Sequence, residues 1–332
     1  MSLLNTGGGQ GRNALCGCSN AVRRSRLPGI GPETNGVHSM SQTRAVVLGG
    51  GGVAGIAWEM GVLAALLEEG VDLNAADLVV GTSAGSMVGA ALRSGLLQQV
   101  LKAQLDDAEQ ALAAQGTDVP YQDPSGFSSE AFIELTATAG RGDGDEKAAR
   151  ARVGQLARTT PAVMTEGEWV SSIRSLLPQP EWPDKPFGIA VVDAEDGSFT
   201  VLDATSDVEL ARAVAASCAV PTVWPPVTIL GRSYMDGGMR SATNADVAEG
   251  YGKVLVLACG PEAPQSPFGP SLPQALAKLQ QHSSTFVIEA DEAALRDFGA
   301  NPLLRSTRIP ASAAGRRQGS EAAAALRDFW LA

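Results

Sequence analysis

The stretch VVGTSAGSMVGAAL, Val79 to Leu92, restricts the possible folds more than any other part of the chain. It reads G-x-S-x-G across Gly81, Thr82, Ser83, Ala84 and Gly85. The apolar run before it has the character of a buried strand, and the small-residue pattern after it that of a helix. A strand that turns sharply into a helix through small residues presents its serine at the apex, the layout of a nucleophile elbow. An activated serine needs a proton acceptor, usually a histidine. The chain has two histidines, His38 and His282.

The surrounding pattern extends the same architecture. RAVVLGGGG, residues 44–52, is an apolar strand running into glycines, and residues 53–70 follow at helical spacing with Gly70 as the C-cap. Strand, helix, strand, helix implies a parallel sheet with helices on both faces. Residues 96–185 carry helical patterns separated by the loops VPYQDPSGF and AGRGDGDE, and are expected to form a helical cap or insertion. Strands resume in 185–203, expected as a hairpin around Asp196-Gly197. A small-residue helix should end before Pro221, a strand pair turn at Gly231, and GKVLVLACG form a further buried strand. The remainder is expected to be helical over 272–299 and 319–331, with STRIP between them as an edge strand. Residues 1–43 are poor in apolar periodicity and are expected to be a disordered leader, leaving 44–332 as the folded domain.

Composition narrows the function. A formal charge of −11 disfavours a nucleic-acid partner and gives little attraction to anionic membranes. No run of about 18 apolar residues is present, so no spanning helix is expected. Four cysteines, Cys16, Cys18, Cys218 and Cys259, do not suggest a disulfide scaffold or a metal site, and a cytoplasmic location is expected.

Two further motifs bear on chemistry. Gly50, Gly52 and Gly55 fit the G-x-G-x-x-G spacing of a dinucleotide loop, but the second strand ends in GTSAG, without the acidic residue such a site wants. An oxyanion hole formed by the N–H groups of Gly50, Gly51 and Gly52 fits better, because it and the serine turn belong to adjacent βα units. YMDGG places Asp236 at a strand end before Gly237 and Gly238. His38 lies in the leader and His282 in a polar stretch of the expected late helix, so neither is a convincing base. An ionised carboxylate hydrogen-bonded to the serine can take its proton. Asp236 is therefore the candidate base of a Ser83–Asp236 dyad.

With three motifs in this order, the chain resembles the patatin-like phospholipases over roughly Arg44 to Trp330. The resemblance rests on Gly50-Gly51-Gly52-Val53-Ala54-Gly55, on Gly81 to Gly85, and on Asp236-Gly237-Gly238. Ala54 stands where the family usually has Arg or Lys. The resemblance implies a three-layer α/β/α fold with a mostly parallel central sheet, and hydrolysis of carboxylic esters of lipids through an acyl-enzyme, with no metal or other cofactor. An acyltransferase would share the acyl-enzyme step, and a non-catalytic lipid- or nucleotide-binding module would use the glycine loop alone. The expected partner is an acyl-ester substrate, with transient membrane-surface contact through an apolar rim of the cap; oligomeric state is not legible.

Overall fold

The computed structural model describes residues 43–114, 129–141 and 144–332. The leader, with His38, Cys16 and Cys18, lies outside them, as do all of VPYQDPSGF and part of the 141–146 charge run.

Eight strands form one sheet among the described residues. They are β1 (Arg44–Leu48), β2 (Leu78–Thr82), β3 (Phe187–Asp193), β4 (Phe199–Leu202), β5 (Val227–Ile229), β6 (Arg232–Asp236), β7 (Lys253–Ala258) and β8 (Ser284–Glu289). The order is β5-β6-β3-β2-β1-β7-β8, with β4 paired to β3. β3, β2, β1, β7 and β8 run parallel, while β4, β5 and β6 add antiparallel pairs. The central strands are continuous apolar runs because both faces are covered. Val46 and Leu48 join the core beneath the helices α1 (Gly52–Glu68), α2 (Ala84–Arg93) and α7 (Leu210–Ser217). Ala45 and Val47 point to the opposite face, against α8 (Leu272–Leu279) and the 3-10 turn Ala245–Ala248. The result is the three-layer α/β/α fold.

Between α2 and β3 the chain forms α3 (Leu97–Ala114), α4 (Ser129–Ala139), α5 (Glu146–Thr159) and α6 (Glu166–Leu176). α6 begins at a capping box, Thr165 with Glu168, that satisfies its first free N–H groups. Among the described residues no helix is long and apolar enough to cross a membrane.

The C-terminal expectation is corrected. Residues 272–299 are not one helix: α8 ends at Leu279, Ser284–Glu289 form strand β8 beside β7, and α9 (Glu292–Phe298) follows. STFVIE is rich in β-branched and aromatic residues, which fit a pleated edge better than a helix. STRIP is not a strand either. It leads into α10 (Arg308–Leu331), whose Pro310 sits in the first turn, where a missing N–H is no loss. α10 lies along α1, and the Trp58 indole N–H donates to Gln318 Oε1 at 2.8 Å.

Candidate active site

Ser83 lies between β2 and α2, with φ 51° and ψ −116°. A non-glycine residue at positive φ is strained, and such strain is retained where the surroundings over-determine it. Here they do. The Ser83 amide N–H donates to Ser217 Oγ at 2.9 Å, and that hydroxyl donates to the Ala190 carbonyl at 2.7 Å. The Ser83 carbonyl accepts from the Ser86 hydroxyl at 2.7 Å and from the Cys218 thiol at 3.2 Å. The flanking glycines are sterically required. A Cβ on Gly81 would run into the Gly85 carbonyl, and one on Gly85 into the Leu48 carbonyl of β1.

Asp236 ends β6 and is 2% exposed. Its carboxylate accepts the Gly238 N–H at 2.7 Å on Oδ1. Burial raises its pKa from 3.8 to about 7, against the lowering effect of the nearby Ser83 side chain and the Gly238 N–H. The carboxyl is thus poised to exchange a proton near neutral pH. His282 is exposed, in the turn between α8 and β8, and takes no part in this cluster.

The glycine loop closes over the serine from β1. A Cβ on Gly50 would lie 3.4 Å from Ser83 Cβ. Of the three expected oxyanion donors, Gly50 is corrected: its N–H donates to the Ala242 carbonyl at 2.8 Å and is not free. Gly51 caps α1 and Gly52 opens it, where N–H groups have no intrahelical acceptor. Gly52 and Val53 line the cavity beside Ser83. Ala54 is fully buried in the core, and its N–H donates to the Pro302 carbonyl at 2.9 Å.

Three supporting residues escaped the sequence reading. Ser217 is described above. Asn244, fully buried at φ 51°, donates to the Thr82 hydroxyl at 3.1 Å, to the Gly237 carbonyl at 3.1 Å and to the Ser241 carbonyl at 2.9 Å. It ties the aspartate turn to the strand that ends at the serine. Glu59 is fully buried on α1 and accepts the Gly49 N–H at 2.7 Å; burial pushes its pKa well up. A lone acid in the apolar run VAGIAWEMGVLAALL was a readable signal for Glu59. Nothing local marks Ser217 or Asn244.

A cavity of about 300 Å³ opens at Ser83. Its apolar wall includes Trp169, Ile173 and Leu176 of α6, and Trp224 after α7. Trp169 and Trp224 stack with ring centroids 4.4 Å apart. Cys218 also borders the cavity, but burial and the nearby Asp236 charge push its thiol up to about 12, so it remains protonated.

Residues 46–249, more than half of the chain, match the model of the patatin-like phospholipases. Two solved structures are similar over most of this chain. VipD from Legionella pneumophila aligns with a TM-score of 0.37 at 15% identity, covering 86% of this chain and 67% of its own. ExoU of the Pseudomonas aeruginosa type III secretion system, in complex with SpcU, aligns with a TM-score of 0.39 at 18% identity, covering 88% of this chain and 52% of its own. This chain therefore spans about half the length of ExoU. No curated protein matches its sequence.

Proposed function

Because the chain belongs to the patatin-like phospholipase family, a family of lipid hydrolases, we propose that it is a serine acyl hydrolase acting through Ser83 and Asp236. The observation that carries this reading is Ser83, held at positive φ on a strand-to-helix turn at the wall of an apolar cavity, with the buried Asp236 carboxylate near enough for the serine side chain to lower its pKa.

In this reading Ser83 Oγ attacks the ester carbonyl carbon while its proton passes to Asp236. The oxyanion is met by the N–H groups of Gly51 and Gly52, supported by the positive end of α1. Collapse breaks the ester C–O bond, and the leaving alcohol takes the proton back from Asp236. Water, deprotonated by Asp236, then attacks the acyl-enzyme and releases the carboxylic acid and Ser83. The acyl chain packs along Trp169, Trp224 and Ile173. Exposed Leu176, at 45% exposure on the cavity wall, offers an apolar approach from a lipid surface. Helices α3–α6 would then act as the cap that shapes the substrate pocket.

A fluorophosphonate probe tests the reading. Wild type should be labelled, Ser83→Ala should not, and Asp236→Asn should be labelled far more slowly. Failure of well-folded wild type to label, together with no cleavage of p-nitrophenyl esters, would refute it. An acyltransferase would share the labelling but favour transfer to an alcohol over hydrolysis.

A further inference from the structure

We propose that Glu59 is a positioning residue for the reaction: its buried carboxyl holds Gly49, the residue that joins the glycine loop to the nucleophile turn. The proposal rests on the acyl-hydrolase reading. Glu59 is fully buried and does not line the cavity, so it acts through the backbone it holds and not on the substrate.

Gly49 follows β1 directly and begins the loop that leads to Gly51 and Gly52. Its N–H donates to Glu59 Oε1 at 2.7 Å and, at 3.1 Å, to the Leu257 carbonyl of β7. Its carbonyl accepts the Gly85 N–H at 2.9 Å, two residues past Ser83. One residue is thus tied to α1 through its N–H and to the nucleophile turn through its C=O. Fixing Gly49 fixes the start of the loop relative to Ser83.

The loop is backed a second time by Cys259, which adjoins Glu59. Burial pushes both the Glu59 carboxyl and the Cys259 thiol well up, and the two groups lie close enough to shift each other. A Cβ on Gly51 would lie 2.5 Å from Cys259 Cβ and 2.7 Å from its Sγ, and one on Gly55 would lie 3.0 Å from the same Sγ. Gly51, one of the proposed oxyanion donors, therefore rests on Cys259.

The identity of residue 59 is not explained by packing. A polar group in a core costs stability wherever its hydrogen-bonding capacity goes unused. Glu59 Oε2 has no hydrogen-bond partner among the described residues. A methionine would fill similar space without that cost, so the acid is explained by what Oε1 holds. A carboxylic acid and a carboxamide present the same acceptor oxygen, which makes glutamine the matched replacement.

The test compares Glu59→Gln and Glu59→Met in the full chain by p-nitrophenyl ester kinetics and chemical denaturation. Glu59→Gln keeps the acceptor and should hold kcat within about threefold of wild type. Glu59→Met should lower kcat by about ten- to a hundredfold, the scale on which misplaced oxyanion donors are felt. Its KM should change by less than about twofold, because the loss falls on the transition state. Its denaturation midpoint should be no lower than wild type, since the Gly49 N–H keeps the Leu257 carbonyl and an unpaired oxygen leaves the core. A merely structural Glu59 would lose stability together with activity. Undiminished kcat in Glu59→Met, or Glu59→Gln as slow as Glu59→Met, overturns the proposal.

If Glu59→Met does not fold, Glu59→Asp decides. The shorter side chain keeps the acid but withdraws it from Gly49, and should show the same loss of kcat at unchanged KM. Full turnover in Glu59→Asp overturns the proposal, as does failure of both variants to fold, which would make Glu59 a structural residue. If wild type neither cleaves esters nor reacts with a fluorophosphonate, the hydrolase reading fails by itself. Amide hydrogen exchange then reads the geometry alone: Glu59→Met should speed exchange at Gly49, Gly50 and Gly85 and leave α10 as in wild type. Unchanged exchange at those glycines overturns the positioning role.

Discussion

The side-chain amide of Asn244 donates to the Thr82 hydroxyl at 3.1 Å, and so locks the turn after Asp236 against the residue that precedes Ser83. The same amide also donates to the Gly237 carbonyl at 3.1 Å. One buried amide thus joins the turn that follows Asp236 to the strand that ends before Ser83.

Asn244→Ala should lower both stability and turnover. It removes four hydrogen bonds, three donated by the side-chain amide and one that Oδ1 accepts from Arg240, leaves buried partners unpaired and keeps the left-handed backbone without the residue that tolerates it best. The expected loss is roughly 2–4 kcal/mol by chemical denaturation. Turnover of the folded fraction should fall with KM little changed. Unaltered turnover would mean that the dyad is aligned by other contacts.

Under the proposed mechanism the raised pKa of Asp236 would set the pH dependence of activity. The base works only when ionised, so kcat/KM should rise about tenfold per pH unit below about 7 and level off above it. A plateau already reached near pH 5 would show that the carboxylate is not held up by burial.

The same group links pH to stability, with the opposite sense. Between pH 3.8 and about 7 the folded protein holds a proton that the unfolded chain releases, so stability falls as pH rises through that window. The full displacement corresponds to roughly 4 kcal/mol as a ceiling. Asp236→Asn should therefore be more stable than wild type at pH 8 and about equal to it at pH 4, while losing activity. Thermal denaturation at the two pH values checks this, and a gain that did not depend on pH would count against the linkage.

Gly85→Ala should be severely destabilising, because its methyl group meets the Leu48 backbone of the neighbouring strand. Backbone cannot rotate away as a side chain can, and a loss of about 3 kcal/mol or more is expected. Gly167, in α6 with open space around it, is the control. There alanine should be neutral or stabilising by up to about 1 kcal/mol. Denaturant midpoints separate the two.

Ala54→Arg tests whether a cation at that position would help the reaction. Ala54 is fully buried in the core, so an arginine there would have to desolvate its charge or displace α1. The expected outcome is a loss of some 2–5 kcal/mol in stability with no gain in turnover. Raised esterase turnover in a stable variant would show that the loop can open to admit a side chain.

The strand, helix and elbow pattern was legible because each element declares itself within a few residues. Val46 to Leu48 alternate between two covered faces, Gly81 and Gly85 flank a serine that must turn sharply, and Asp236 ends a strand before two glycines. Periodicity and steric permission are local properties, and a sequence displays them. Strand β8 was lost to the helices around it, since a short run of mixed residues takes its form from the free edge of β7 rather than from its own preference. The donors and acceptors of the candidate site were not local at all. Ser217 holds the Ser83 amide, Asn244 bridges two turns, Ala242 takes up the Gly50 N–H, and Arg305 reaches the cavity from the far end of the chain. Hydrogen bonds and charge placement depend on which segments the packed core brings within about 3 Å, and only the tertiary structure decides that.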